Sequence, residues 1–213
     1  KKVGPVKTKG EYYHQHSIEG TIFKDSYIHW RKLPNLRDYS VIVGYFDPSF
    51  ENKVTSDYKA ISIWGKYVQE KHCIKKFCRQ IDLPSCFEWM SAQDDKLPSG
   101  VAIIWLVENQ FFNGPIKDAL FKHNKNRAFD KKPLLNIVPD LRDKENKYTR
   151  IVRMESDYVN NEVYYNIVEI HNHDMIMGNN QLKGIEPGYS SPDDSPDADE
   201  GAWYYLNLTN ESR

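Results

Sequence analysis

The sequence predicts one α/β domain in which a mixed central sheet, its first three strands antiparallel, is flanked by helices. Two continuous apolar runs, 41–46 and 101–107, are far shorter than the ~20 residues of a membrane span but suit strands buried on both faces. Two alternating segments, 57–67 and 70–80, follow the first run and read as the next strands of an antiparallel meander. Helical patterns interrupt and close the series. With 213 residues, 39% hydrophobic and 13% aromatic, the chain can bury one sizeable core.

Residues 1–38 are polar, rich in Tyr and His and broken by Gly4, Pro5, Gly10, Gly20 and Pro34, which predicts a linker packed against a domain spanning 39–213. The run from Tyr39 to Phe46 ends at Asp47-Pro48, so Asp47 stands at the C-terminal end of the first strand. Pro84 to Lys96 carries Cys86, Phe87, Trp89 and Met90 at helical spacing, and Pro98-Ser99-Gly100 stops it. The strand Val101 to Val107 follows, with Glu108-Asn109 at its end. Gly114-Pro115 opens a helix over Ile116 to His123, the basic stretch Lys122 to Lys132 reads as a loop, and Leu134 to Val138 as a short strand. Lys144 to Met154 suits a helix and Glu162 to Ile170 a strand. His171-Asn172-His173-Asp174 reads as a turn, since its residues are consecutive where an HNH nuclease needs them spaced. From Pro196 a closing helix turns Ala198, Ala202, Tyr205 and Leu206 inward. Strand, strand, strand, helix, strand, helix, strand and a final helix is the element order of the ribonuclease H-like fold.

A net charge of −1 conceals an asymmetry. From Lys117 to Arg153 there are eleven Lys and Arg against five acids, and from Glu155 to Glu200 eleven acids against one Lys. Such separation lets one surface hold a polyanion and another bind cations, although two solvated faces would give the same counts. Cys73, Cys78 and Cys86 lack zinc-site spacing and are expected as reduced structural thiols. Trp64, Trp89, Trp105 and Trp203 fall on apolar faces and are expected in the core. Short apolar runs and no basic-then-apolar leader predict a soluble intracellular protein, and an opening at Lys1 with no G-x-x-x-x-G-K-[ST] phosphate loop predicts an excised fragment without its own motor.

Asp47 and Glu108 each end an apolar strand and Asp197 begins the last helix, so the three converge if the strands are neighbours. Carboxylates gathered at a sheet edge repel one another unless cations intervene. Two Mg2+ or Mn2+ ions, which prefer hard oxygen ligands, answer that need and support phosphodiester hydrolysis without a nucleophilic side chain. Taken singly, Asp47 suits a turn and Asp197 a helix cap.

The segment VIVGYFDPSFENKVTSDYKAISIWGKY resembles the opening of the nuclease domain of phage terminase large subunits, with Asp47 and Asp57 at its two acidic positions. WLVENQFF is similar to the family's fourth-strand motif, which gives Glu108 the second ligand role. PDDSPDADEGAWYYL resembles its C-terminal motif, which makes Asp197 the third catalytic carboxylate, with Asp194 and Asp193 as alternatives for the metal contact. DKENKYTRIVRM is similar to its basic stretch, and EYYHQHSIEGTIFKD to the segment that joins the motor and nuclease domains. Lys144, Lys147, Arg150 and Arg153 recur every three residues, so one helix would carry them as a basic stripe. By the resemblance that stripe contacts DNA phosphates; spacing alone equally suits a solvated face.

The resemblance implies an endodeoxyribonuclease that uses two Mg2+ or Mn2+ ions to cut concatemeric double-stranded viral DNA during packaging. The implied catalytic acids are Asp47, Glu108 and Asp197, and the metal ligands are these together with Asp57 and Asp194. The implied partners are its own ATPase domain, the terminase small subunit and the portal protein, with no membrane, in the cytoplasm of a bacterial host. Two other readings stay open: a resolvase- or transposase-type nuclease of the same fold, and a non-catalytic DNA-binding or assembly module on that scaffold.

Overall fold

A computed structural model describes residues 20–48, 58–112 and 114–208. Among the described residues seven strands form one mixed sheet: β1 (His29–Arg31), β2 (Val41–Asp47), β3 (Lys59–Tyr67), β4 (Glu70–Arg79), β5 (Ile104–Glu108), β6 (Ile137–Asp140) and β7 (Val163–Asn166). Their order across the sheet is β1-β7-β4-β3-β2-β5-β6. The meander β2-β3-β4 is antiparallel, while β5, β6, β7 and β1 add in parallel pairs on either side.

Side-chain alternation along the central strands divides the core in two. On one face Val43, Tyr45, Trp64 and Leu106 pack against α5 (His173–Lys183) and α6 (Asp194–Leu208), through Met175, Leu182, Ala198, Ala202 and Leu206. On the other face Ile42, Phe46, Ile61, Trp105 and Val107 meet α1 (Leu83–Asp94) and α2 (Pro115–Phe129), through Phe87, Met90, Ile116 and Leu120. β2 is therefore buried on both sides, as its unbroken apolar run predicts. Trp64, Trp105 and Trp203 are core residues, and all three cysteines are buried free thiols. Among the described residues no helix is long and apolar enough to cross a membrane.

Four elements differ from the sequence reading. The expected loop from Lys122 to Lys132 continues α2 as far as Phe129. Its buried positions keep helical spacing, but His123 and Arg127 occupy two of them, His123 beside Ser91 Oγ (2.8 Å) and Arg127 donating to Asp95 and to the Pro133 carbonyl. The expected helix from Lys144 to Met154 is replaced by α3 (Lys147–Val152) and α4 (Glu155–Val159). The expected turn at 171–174 starts α5, because Asn172 caps it by accepting from the Asp174 backbone N–H (2.9 Å). Finally, His29–Arg31 within the expected linker pairs with β7 as an edge strand, and Phe23 is fully buried.

Candidate active site

Three parallel strands end side by side. The register pairs Phe46 with Val107 and Glu108 with Asp140, so Asp47, Glu108 and Asp140 line the same C-terminal edge of β2, β5 and β6. Helix α6 crosses β2 and β3. It lies unusually near them at Gly201, where a Cβ would stand 2.6 Å from the Tyr45 ring. Asp197, one turn earlier on α6, is thereby carried toward the end of β2. Asp47 and Asp197 are each only 5% exposed.

Cations from the segment after β6 hold these acids. Lys144 Nζ lies 3.0 Å from Glu108 Oε1. Lys147 Nζ bridges Asp193 Oδ1 (2.9 Å) and Asp197 Oδ2 (3.3 Å). Burial opposes the Lys147 charge, but the carboxylates of Asp197, Asp47 and Asp193 outweigh it and raise its pKa. The reciprocal effect reaches Asp197: burial resists its ionisation, yet Lys147, Arg150 and Lys144 hold its pKa below the usual carboxylate range. Asp47, Glu108, Asp193 and Asp197 thus share one group of basic side chains.

Arg150 Nη2 donates to Asp197 Oδ1 (2.9 Å), and its Nη1 donates to Glu200 Oε2. Glu200 is also gripped by both terminal nitrogens of Arg142 (2.8 and 2.7 Å). Arg142 Nε in turn donates to Asp140 Oδ2 (2.9 Å), while the hydroxyls of Tyr45 and Tyr205 donate to Asp140 Oδ2 and Oδ1 (2.8 and 2.7 Å).

No protein-family model matches the chain, and no curated protein does. Solved structures do. The human cytomegalovirus terminase nuclease domain aligns with 85% of this chain and 94% of its own at a TM-score of 0.60 and 14% identity. A Mn-soaked structure of that domain covers 93% of this chain and 92% of its own at 0.52 and 14% identity. The large terminase of a thermophilic bacteriophage covers 90% of this chain at 0.52 and 13% identity. This chain has the ribonuclease H-like fold of the terminase nuclease domains. It spans 44% of the length of the bacteriophage protein.

On the terminase-nuclease fold the expected site residues fare unequally. Asp47 and Glu108 come together at adjacent strand ends, and Asp197 joins them through the shared lysines. Asp57 lies outside the described residues. Asp194 is buried at the start of α6, and its charge is felt at the Cys78 thiol of β4, whose pKa is pushed up to about 12, chiefly by burial. It is the neighbouring Asp193 that meets Lys147.

The basic stripe does not form. Lys144 precedes α3, Lys147 and Arg150 turn inward to the acids, and Arg153 is the one whose side chain is largely exposed (63%), where it meets Glu145. The reason is electrostatic, since buried carboxylates opposite α3 draw Arg150 out of solvent and hold the partly exposed Lys147 against them. Asp140, Arg142 and Glu200 escaped the sequence reading. Asp140 shares the signal that marks Asp47 and Glu108, an acid ending an apolar strand; Arg142 and Glu200 carry no comparable mark.

Among the described residues no group of three or more His, Cys, Asp and Glu side chains is arranged to hold a metal ion. The donor chemistry nevertheless fits, because buried carboxylate oxygens are the hard ligands that Mg2+ and Mn2+ take.

Proposed function

We propose that this chain is a metal-dependent endonuclease that cuts double-stranded DNA in genome packaging, with Asp47, Glu108 and Asp197 holding Mg2+ or Mn2+. The observation that carries this reading is that acids far apart in sequence gather at one sheet edge around shared cations, on a fold otherwise seen in terminase nuclease domains. Pairs of such ions activate water and stabilise the leaving oxygen of a phosphodiester.

The chain's own groups prepare that site. Lys147, Arg150 and Lys144 keep Asp197 ionised, and the contacts of Lys144 with Glu108 and of Lys147 with Asp193 and Asp197 offset the mutual repulsion of the acids. Arg150 fixes Oδ1 of Asp197, which leaves Oδ2, bound by the flexible Lys147 ammonium, as the oxygen offered to an ion. In this reading Arg153, exposed and paired with Glu145, exchanges that partner for a phosphate without reading a base. By the same reading, an ATPase domain, a small subunit and a portal are the partners of the larger protein, and residues before the sheet join it to the motor.

A second reading draws on the ion pairs themselves: with Asp197 held by Arg150 and Lys147, a non-catalytic DNA-binding module on the same scaffold would need no metal. Plasmid cleavage separates the two. Wild type with Mn2+ or Mg2+ is expected to nick and linearise supercoiled DNA, and Asp47→Ala to stay folded and leave it intact. DNA binding without cleavage under either metal would establish the module and refute the enzyme.

A further inference from the structure

Asp197 ends a run of alternating charges that starts on the far side of the site. Asp140 is 2% exposed and accepts from two tyrosine hydroxyls as well as from Arg142. The Arg142 side chain, 7% exposed, directs Nε to Asp140 and both terminal nitrogens to Glu200. Glu200 then receives Arg150, whose other terminal nitrogen grips Asp197 Oδ1. Each guanidinium spans two acids, something a point-charge ammonium cannot do with the same geometry.

We propose that Arg142 and Glu200 are positioning residues that, acting through Arg150, set the orientation of the Asp197 carboxylate. This rests on the nuclease reading above and deepens it. Glu200 lies less than one turn from Asp197 on the same helix and is as buried as a ligand would be, but both its oxygens are committed to guanidinium groups. It therefore acts on the site through Arg150 and not as a donor to metal. The run is anchored in the sheet at Asp140, on β6, and delivers its constraint to α6. Relative movement of sheet and helix would be resisted at the carboxylate where precision matters most.

The test is metal binding without DNA, read from the electron paramagnetic resonance of free Mn2+, alongside steady-state plasmid cleavage. Outer-shell partners of metal ligands typically change metal affinity or activity by roughly 10- to 100-fold. Glu200→Gln, which keeps the volume and removes the charge that Arg150 leans on, is expected to weaken Mn2+ binding and lower kcat within that range, with KM for DNA unchanged. Arg142→Lys is expected to do the same despite its conserved charge, because a single ammonium cannot reproduce the three guanidinium contacts to Asp140 and Glu200; it also carries the test if Glu200→Gln unfolds. Wild-type Mn2+ affinity and kcat in a folded Glu200→Gln, or full function in Arg142→Lys, would overturn the proposal while leaving the nuclease reading intact. If wild type itself neither binds Mn2+ nor cuts DNA, the nuclease reading falls and the positioning role with it.

Discussion

Asp140 shows how much one side chain can organise. Burial pushes its pKa up, but the hydroxyls of Tyr205 and Tyr45 and the Arg142 guanidinium push it further down, so the folded value lies below the ordinary one. A carboxylate depressed on folding stabilises the protein above its unfolded pKa of about 4, and that stabilisation is lost as pH falls through the lower folded value. Asp140→Asn, which strips a buried arginine of one partner, is expected to cost about 3 kcal/mol at pH 6.5 and clearly less at pH 3, as measured by urea unfolding. Arg153 makes a contrasting case. Arg153→Ala is expected to leave the melting temperature alone, weaken DNA binding and flatten its salt dependence by about one ion per complex, read from log Kd against log salt concentration. At this scale the sequence disclosed acids better than bases. Asp47 and Glu108 were visible because each ends an apolar strand, whereas the inward turn of Lys147 and Arg150 depends on carboxylates 46 to 50 positions away that no local pattern reveals.

The docking of α6 on the sheet is set by an apolar contact and a buried ion pair. Gly201 lets the helix backbone approach Tyr45, and Lys76 of β4 meets Asp199 (2.5 Å) with both side chains wholly buried and Trp64 Nε1 donating to the same carboxylate (2.8 Å). Removing one member of such a pair leaves an unpaired charge in the core. Lys76→Met is thus expected to destabilise the fold by about 3–5 kcal/mol, and Lys76→Met with Asp199→Leu to recover most of that loss in thermal or urea unfolding. For α5, Asn172→Ala is expected to cost about 1 kcal/mol by removing the cap, with no change in metal binding. Elements with apolar inner faces, β2, β3, β5 and α1, could be read directly from the chain. Those with polar inner faces could not: α5 buries Asp174, Asn179 and Gln181, and the second half of α2, expected as a loop, buries His123 and Arg127, so the apolar repeat that announces a helix is weak in α5 and stops half-way along α2.

Across the whole molecule, the two apolar cores on either side of one sheet follow from the alternation along β2, β3 and β5, and this is why the fold class could be foreseen although the arrangement of β1 and β7 could not. Both are short, and their pairing joins residues more than 130 positions apart. The sheet also ends abruptly on each side. β1 offers three residues, and β6 offers four, one of which, Pro139, has no N–H to donate. Among the described residues neither border presents a long unpaired ladder onto which a second chain could add a strand. A second copy of the described sheet would find few backbone groups to pair with at either border, and Pro139→Val, which restores one N–H on β6, is expected to favour strand addition there, visible as light scattering that rises with protein concentration.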